Sequence, residues 1–294
     1  MYSESLLTME SSAEEPRLSA AASVPARLTA FLALLYLALG VLALHPWAVH
    51  WATGALLSVA LFIFLPMAMV YHGVRIPLSV WGELVGFVVG TAVWVVVGTV
   101  PPTQDPSLVV PGRNLALLVA ALFAGMLISR IVRERNILLP VCIAAALVDV
   151  VSVGWGFTGH VVSTAPDVVT RFSVALPQIS AGARGPERAA ALATIGVGDL
   201  VFLAVFLAAA NRLGLNVRRA FWCVYPLALL AMLATLTIQS LPGIPALPFI
   251  ALGFLVCNFR AFDLSDDERR SMLIAALLLG AIVGVYFLVR LALQ

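Results

Sequence analysis

Residues 190–210 read AALATIGVGDLVFLAVFLAAA, an unbroken apolar run whose single charge, Asp199, falls near its centre. About 20 apolar residues suffice for a helix to cross a hydrocarbon core. The run therefore predicts a membrane-spanning helix and decides the fold class. A carboxylate at mid-bilayer costs roughly 2.5–3.5 kcal/mol on insertion scales. Working outward, the preceding apolar run, 137–157, carries a second one, Asp149, in ILLPVCIAAALVDVVSVGWGF. Packing requires neither charge, so both mark a functional site.

Composition agrees. The chain is 62% apolar and 11% charged, with a mean hydropathy of +1.05, where soluble domains carry about 25% charge. An integral membrane protein is the only class that fits. The net charge of +2 gives no indication of a nucleic-acid partner. Cys142, Cys223 and Cys257 all lie in apolar runs without CxxC spacing and read as small core residues. Residues 1–27 are polar, too long and too acidic for a secretory signal. They are expected to form a disordered tail.

Nine apolar segments fall near 28–44, 48–71, 79–99, 114–131, 137–157, 190–210, 219–240, 245–260 and 271–291. Their continuous rather than alternating hydrophobicity predicts helices, giving an all-α membrane protein of nine spans. The first four, 28–131, form an N-terminal scaffold. Residues 137–260 hold the acidic pair, and 271–294 add a last span. The one long hydrophilic connection, 158–189, is expected to be mobile around 173–188. All basic residues are arginine. Twelve fall on one side of the segments and four (Arg113, Arg171, Arg184 and Arg188) on the other, with Arg290 ending the last span. The positive-inside rule then predicts a cytoplasmic N-terminus, an external C-terminus and a place in the plasma membrane. In that frame both aspartates lie roughly 16–18 Å from the inner boundary, level with each other on antiparallel neighbours.

Two carboxyls close together in a poorly solvated site cannot both ionise. They share a proton, so one acts as general base toward water and the other as general acid. Such a pair hydrolyses peptide bonds without metal or cofactor. His45, His50, His72 and His160 form no HExxH, and no serine sits in a GxSG string. Gly196 and Gly198 bare the backbone before Asp199, either to pack a helix or to admit another chain. In 241–250, LPGIPALPFI, the prolines Pro242, Pro245 and Pro248 cannot share one regular helix. Residues 245–247 are therefore expected to be unwound, and the helix after them to be too short for the full core. Unwound backbone at that depth must line a cavity or be buried in protein, where it could pair with an extended peptide.

GVGDLVF at 196–202, ALVDVVSV at 146–153 and PALPFIALGF at 245–254 resemble the presenilin and signal peptide peptidase family, the GxGD intramembrane aspartyl proteases, and they follow the family's order along the chain. The likeness covers 137–260, roughly two fifths of the chain. It implies that Asp149 and Asp199 are catalytic, that Gly196 and Gly198 shape the site, and that Pro245, Ala246, Leu247 and Pro248 organise it and contact substrate. The implied substrates are transmembrane helices, with no cofactor or metal. Val148 stands where family members usually have Tyr. The motif segments are fifth, sixth and eighth here, against sixth, seventh and ninth in nine-helix members. With an inside N-terminus this inverts the site relative to presenilin and makes it similar to signal peptide peptidase, so substrates with a cytoplasmic N-terminus are expected. Prepilin peptidases also carry GxGD, but usually with a basic residue soon after, where this chain has Leu200, Val201 and Phe202. A proton-coupled transporter would also use paired acids and broken helices. It predicts an internal repeat, and none is evident. An inactive scaffolding relative is the third reading.

Other charges have quieter explanations. Glu83, near an interface with Arg75 close by, is expected to snorkel or form a local ion pair. Asp263, Asp266, Asp267 and Glu268 read as a solvated linker and helix start without calcium-loop spacing. His160 and Asp167 read as solvated loop residues.

Overall fold

The computed structural model describes residues 4–43, 51–99, 106–154, 171–176, 193–237 and 245–271, with single positions at 164 and between 273 and 285. Eight α-helices are α1 (Glu4–Ala43), α2 (Trp51–Gly73), α3 (Val80–Thr99), α4 (Pro106–Ser129), α5 (Leu138–Gly154), α6 (Val197–Arg212), α7 (Val217–Thr237) and α8 (Leu247–Asn258), the last running on into a 3-10 turn, Phe259–Ala261. Between α5 and α6 lie two short strands, β1 (Ser173–Leu176) and β2 (Ala193–Gly196). Among the described residues five helical stretches are long and apolar enough to cross a membrane: 23–43, 53–73, 80–99, 109–129 and 217–235. Two shorter apolar helices cover 138–153 and 247–261. The described positions from 266 to 285 are helical as well.

Three expectations need correcting here. The segment expected to be a disordered tail is helical from Glu4, as the start of α1. Polarity alone does not make a chain disordered, and Leu6, Leu7, Met9, Glu14 and Glu15 are good helix formers. The run 190–210 is not one helix, since its described first part is β2 and α6 begins only at Val197. Within the loop expected to be mobile, Ser173–Leu176 is β1, in a chain that is otherwise mostly helical, as an all-α membrane protein is expected to be.

The helix α4 is central, packing on α3, α1 and α6, while α7 bridges α2 and α8. The α4–α6 contact is close because residue 125 has no side chain. A Cβ built on Gly125 would lie 2.7 Å from the Val201 carbonyl oxygen and 3.0 Å from the Val205 nitrogen, both backbone atoms of α6. Small residues allow this approach in membranes, where packing rather than hydrophobicity holds helices together. Phe206 on α6 stacks on Phe254 of α8 with centroids 5.4 Å apart, and both rings are fully buried. Cys223 and Cys257 form a disulfide between α7 and α8, with Cα atoms 6.5 Å apart. Of the three cysteines read as core residues, only Cys142 is a free buried thiol.

The end of the bundle where α2, α4 and α6 terminate is latched by side chains on helix C-termini. Arg212 donates to the Ser129 and Val132 carbonyls (2.6 and 3.2 Å), Arg135 to Leu213 (2.9 Å) and Asn211 to Val74 (3.0 Å). These are the orphan carbonyls that a helix end leaves behind. Glu83 is buried and pairs with Arg130, not Arg75, through two hydrogen bonds of 2.6 and 2.8 Å. Arg75 instead lies over the Tyr71 ring. Glu83→Gln leaves Arg130 without its anion and is expected to cost about 1–3 kcal/mol. A melting temperature equal to that of the wild type would show that the pair contributes nothing. The expected helix start at 263–268 holds: Ser265 and Glu268 form a reciprocal capping box, and the Ser265 hydrogen bonds keep the Glu268 carboxyl below its usual range.

Candidate active site

The segment 245–248 presents its donors sparingly. Pro245 and Pro248 have no N–H, and Leu247 is the first residue of α8. The amides of Ala246 and Leu247 are thus the free donors at this helix start, where an anion is favoured. Both go to one acceptor. The Leu247 N–H donates to Asp149 Oδ2 at 3.0 Å, and the Ala246 N–H donates to the same carboxyl group. The prolines thereby aim two amides from α8 at the α5 aspartate. Residues 245 and 246 are non-helical, as the proline spacing predicts, but Leu247, expected to be unwound with them, already opens α8; 241–244 fall outside the described residues.

Asp199 occupies the first turn of α6, whose N-cap is Gly196. Its carboxyl group reaches back to accept the Gly196 N–H, which is one half of a capping box. A Cβ on Gly196 would stand 3.3 Å from Asp199 Oδ2, so any larger residue crowds that carboxyl. Around Gly198 the same test finds nothing within 4 Å. The two glycines therefore differ: Gly196 makes room for the acid, and Gly198 faces open space. Asp149 and Asp199 are both half-buried and lie within electrostatic reach of each other. Asp149 comes eleven residues after the start of α5, and Asp199 thirteen before the end of α6. Helical rise puts them about 17 and 20 Å from those ends, close to level. The helix α5 packs mainly on α8 and meets α6 only lightly.

The sheet beside Asp199 is the element that sequence reasoning missed. β1 and β2 run antiparallel, with Ser173 opposite Gly196 and Ala175 opposite Thr194. The Val197 N–H donates to the Phe172 carbonyl at 3.0 Å. Hydrogen-bonded and non-hydrogen-bonded pairs alternate along such a ladder. Ser173, Ala175, Thr194 and Gly196 therefore turn their backbone groups outward. On the β1 side the Ala175 carbonyl accepts from Asn114 Nδ2 of α4 at 3.0 Å. On the β2 side the exposed Thr194 is followed, through Gly196, by Asp199. A continuous apolar run cannot distinguish strand from helix, but the β-branched residues Thr194 and Ile195 before two glycines were a usable signal.

Val148 is 67% exposed. A groove of about 690 Å³ lined by Pro140, Ala144 and Leu147 lies on the opposite face of α5 from Asp149 by helical phase, so it is no part of this site. Among the described residues no cluster of His, Cys, Asp and Glu could hold a metal ion. His160 and Asp167 lie outside the described residues. No family pattern, curated protein or solved structure matches the chain.

Proposed function

We propose that the chain is an intramembrane aspartyl endopeptidase of the presenilin and signal peptide peptidase type, hydrolysing peptide bonds within transmembrane segments. The observation that carries this reading is the meeting of three separate motifs. The amides of Ala246 and Leu247 bind Asp149, and Asp149 stands within electrostatic reach of Asp199 in the GVGD turn. A structural role for either acid would not require the other, nor an unwound proline segment aimed at it.

The chemistry follows from the pair. One proton shared between two carboxyls leaves one to take a proton from water and the other to give its own to the carbonyl oxygen; as the gem-diol collapses, the first passes the proton it took to the leaving amine and the second takes one back from a hydroxyl. Which residue plays which part is a property of the pair rather than of one side chain. A helical substrate hides its peptide bonds, so it must be unwound first. The outward groups of Thr194 on the β2 edge can pair with an extended peptide, and the open space at Gly198 lets that peptide pass beside Asp199. Pro245, Ala246, Leu247 and Pro248 form the opposite wall. The expected orientation is an inside N-terminus in the plasma membrane, with substrates whose own N-terminus is cytoplasmic.

The test is purified protein in liposomes with a membrane-embedded reporter helix, in water enriched in ¹⁸O. Cleavage with one ¹⁸O in the new carboxyl terminus is expected, since water attacks directly. The rate should fall at both pH extremes, because the working state holds one proton between two acids. A rate flat from acid to alkaline pH would contradict the shared proton. Proton flux across the liposome without any cleavage would instead favour the transporter.

A further inference from the structure

We propose that Asn114 is a positioning residue: its buried amide closes the outer edge of β1, so that an incoming strand has only the β2 edge, beside Asp199, to pair with. The part concerning substrate rests on the protease reading; the anchoring of the sheet does not.

Asn114 is 2% exposed on α4, at the head of the apolar stretch 115–128. A buried amide is costly unless it is hydrogen-bonded. Its Nδ2 donates to the Ala175 carbonyl at 3.0 Å, across 61 residues of sequence. That carbonyl belongs to the non-hydrogen-bonded pair of Ala175 with Thr194 and so faces away from β2, toward α4. Without Asn114 it would be an orphan acceptor at membrane depth. The Tyr36 hydroxyl of α1 lies beside the same amide, while Asn114 Oδ1 has no hydrogen-bond partner among the described residues. The side chain is thus committed to the sheet edge on its donor side.

The consequence for substrate is geometric. A two-stranded sheet has two edges, and a peptide added to β1 instead of β2 would lie three strand spacings away, roughly 14 Å. Such a complex would be bound but unproductive. Opening the β1 edge should therefore lower kcat and KM together, whereas simple loss of folded protein lowers kcat alone.

The experiment uses the full chain in detergent micelles as wild type, Asn114→Leu and Asn114→Gln. Hydrogen exchange is read on segments 171–176 and 193–197, and cleavage of the reporter helix is read in parallel. In Asn114→Leu, exchange protection of the Val174, Ile195 and Val197 amides should drop at least tenfold while α2 keeps its protection. KM and kcat should both drop severalfold. Asn114→Gln, which retains the amide, should recover part of both. Should Asn114→Leu not fold, Asn114→Ser serves instead, because its hydroxyl can bond within its own helix but cannot reach Ala175. Unchanged strand protection in a folded variant overturns the anchoring. Lost protection with KM unchanged or raised overturns the edge-closing role. A wild type with no aspartate-dependent cleavage defeats the protease reading, and the exchange result still decides the anchoring.

Discussion

Asp199→Asn is expected to abolish cleavage of the membrane-embedded reporter, with a loss on the order of 10⁴-fold, and Asp149→Asn should do the same. The exchange keeps size and shape. In the first variant the side-chain amide oxygen can still accept the Gly196 N–H that closes the first turn of α6. In the second it can still accept the amides of Ala246 and Leu247. Insertion becomes easier, because an ionisable group leaves the bilayer centre. What is lost is the proton that moves between water, the two acids and the scissile bond. The measurement pairs cleavage rate with melting temperature, so that unfolded protein is not mistaken for inactive protein. A folded single mutant that still cuts at a substantial rate would remove the dyad from the mechanism. The double mutant should be no worse than either single one, since the two acids act as a unit.

Gly125→Leu is expected to be the most damaging change outside the acidic pair. A Cβ there meets the Val201 oxygen and the Val205 nitrogen, which are backbone atoms and cannot rotate away. The helix α6 must then retreat from α4, and overpacking of this kind costs about 1–3 kcal/mol. Val201 is two residues from Asp199, so the acid moves with the helix, and a misplacement of about 1 Å can cost 10²-fold in rate. Activity should thus fall further than stability alone predicts, with Gly125→Ala intermediate. Wild-type turnover in Gly125→Leu would mean that α4 does not set the position of Asp199.

Much of this is legible from residues near each other in sequence. Continuous apolar runs announce the helices. The proline spacing at 242–248 announces a late, short α8, and the two lone aspartates mark the candidate site. Contacts between distant residues are not legible. Nothing local tells Glu83 that its partner is Arg130, 47 positions on, rather than nearby Arg75. Cys223 and Cys257 are separated by 34 residues and meet only because α7 packs on α8. The strands hide for another reason: ALATIG is mostly apolar, without the alternation that usually marks a strand. Asn114, a single amide at the head of an apolar run, carries the same kind of signal as the aspartates but without a charge to draw notice.

The helices on the two sides of the molecule are unequal in length. α2 and α4 have 23 and 24 residues, about 35 Å each, whereas α8 with its 3-10 turn reaches about 24 Å. A hydrocarbon layer near 30 Å thick must dip where it meets this short helix, at a cost of fractions of a kcal/mol per ångström. Headgroups and their hydration are drawn down on that flank, toward the level of the two acids. Under the proposed protease reading, the water that hydrolysis consumes then arrives through a dimple in the lipid, set by nothing more than how many turns α8 possesses.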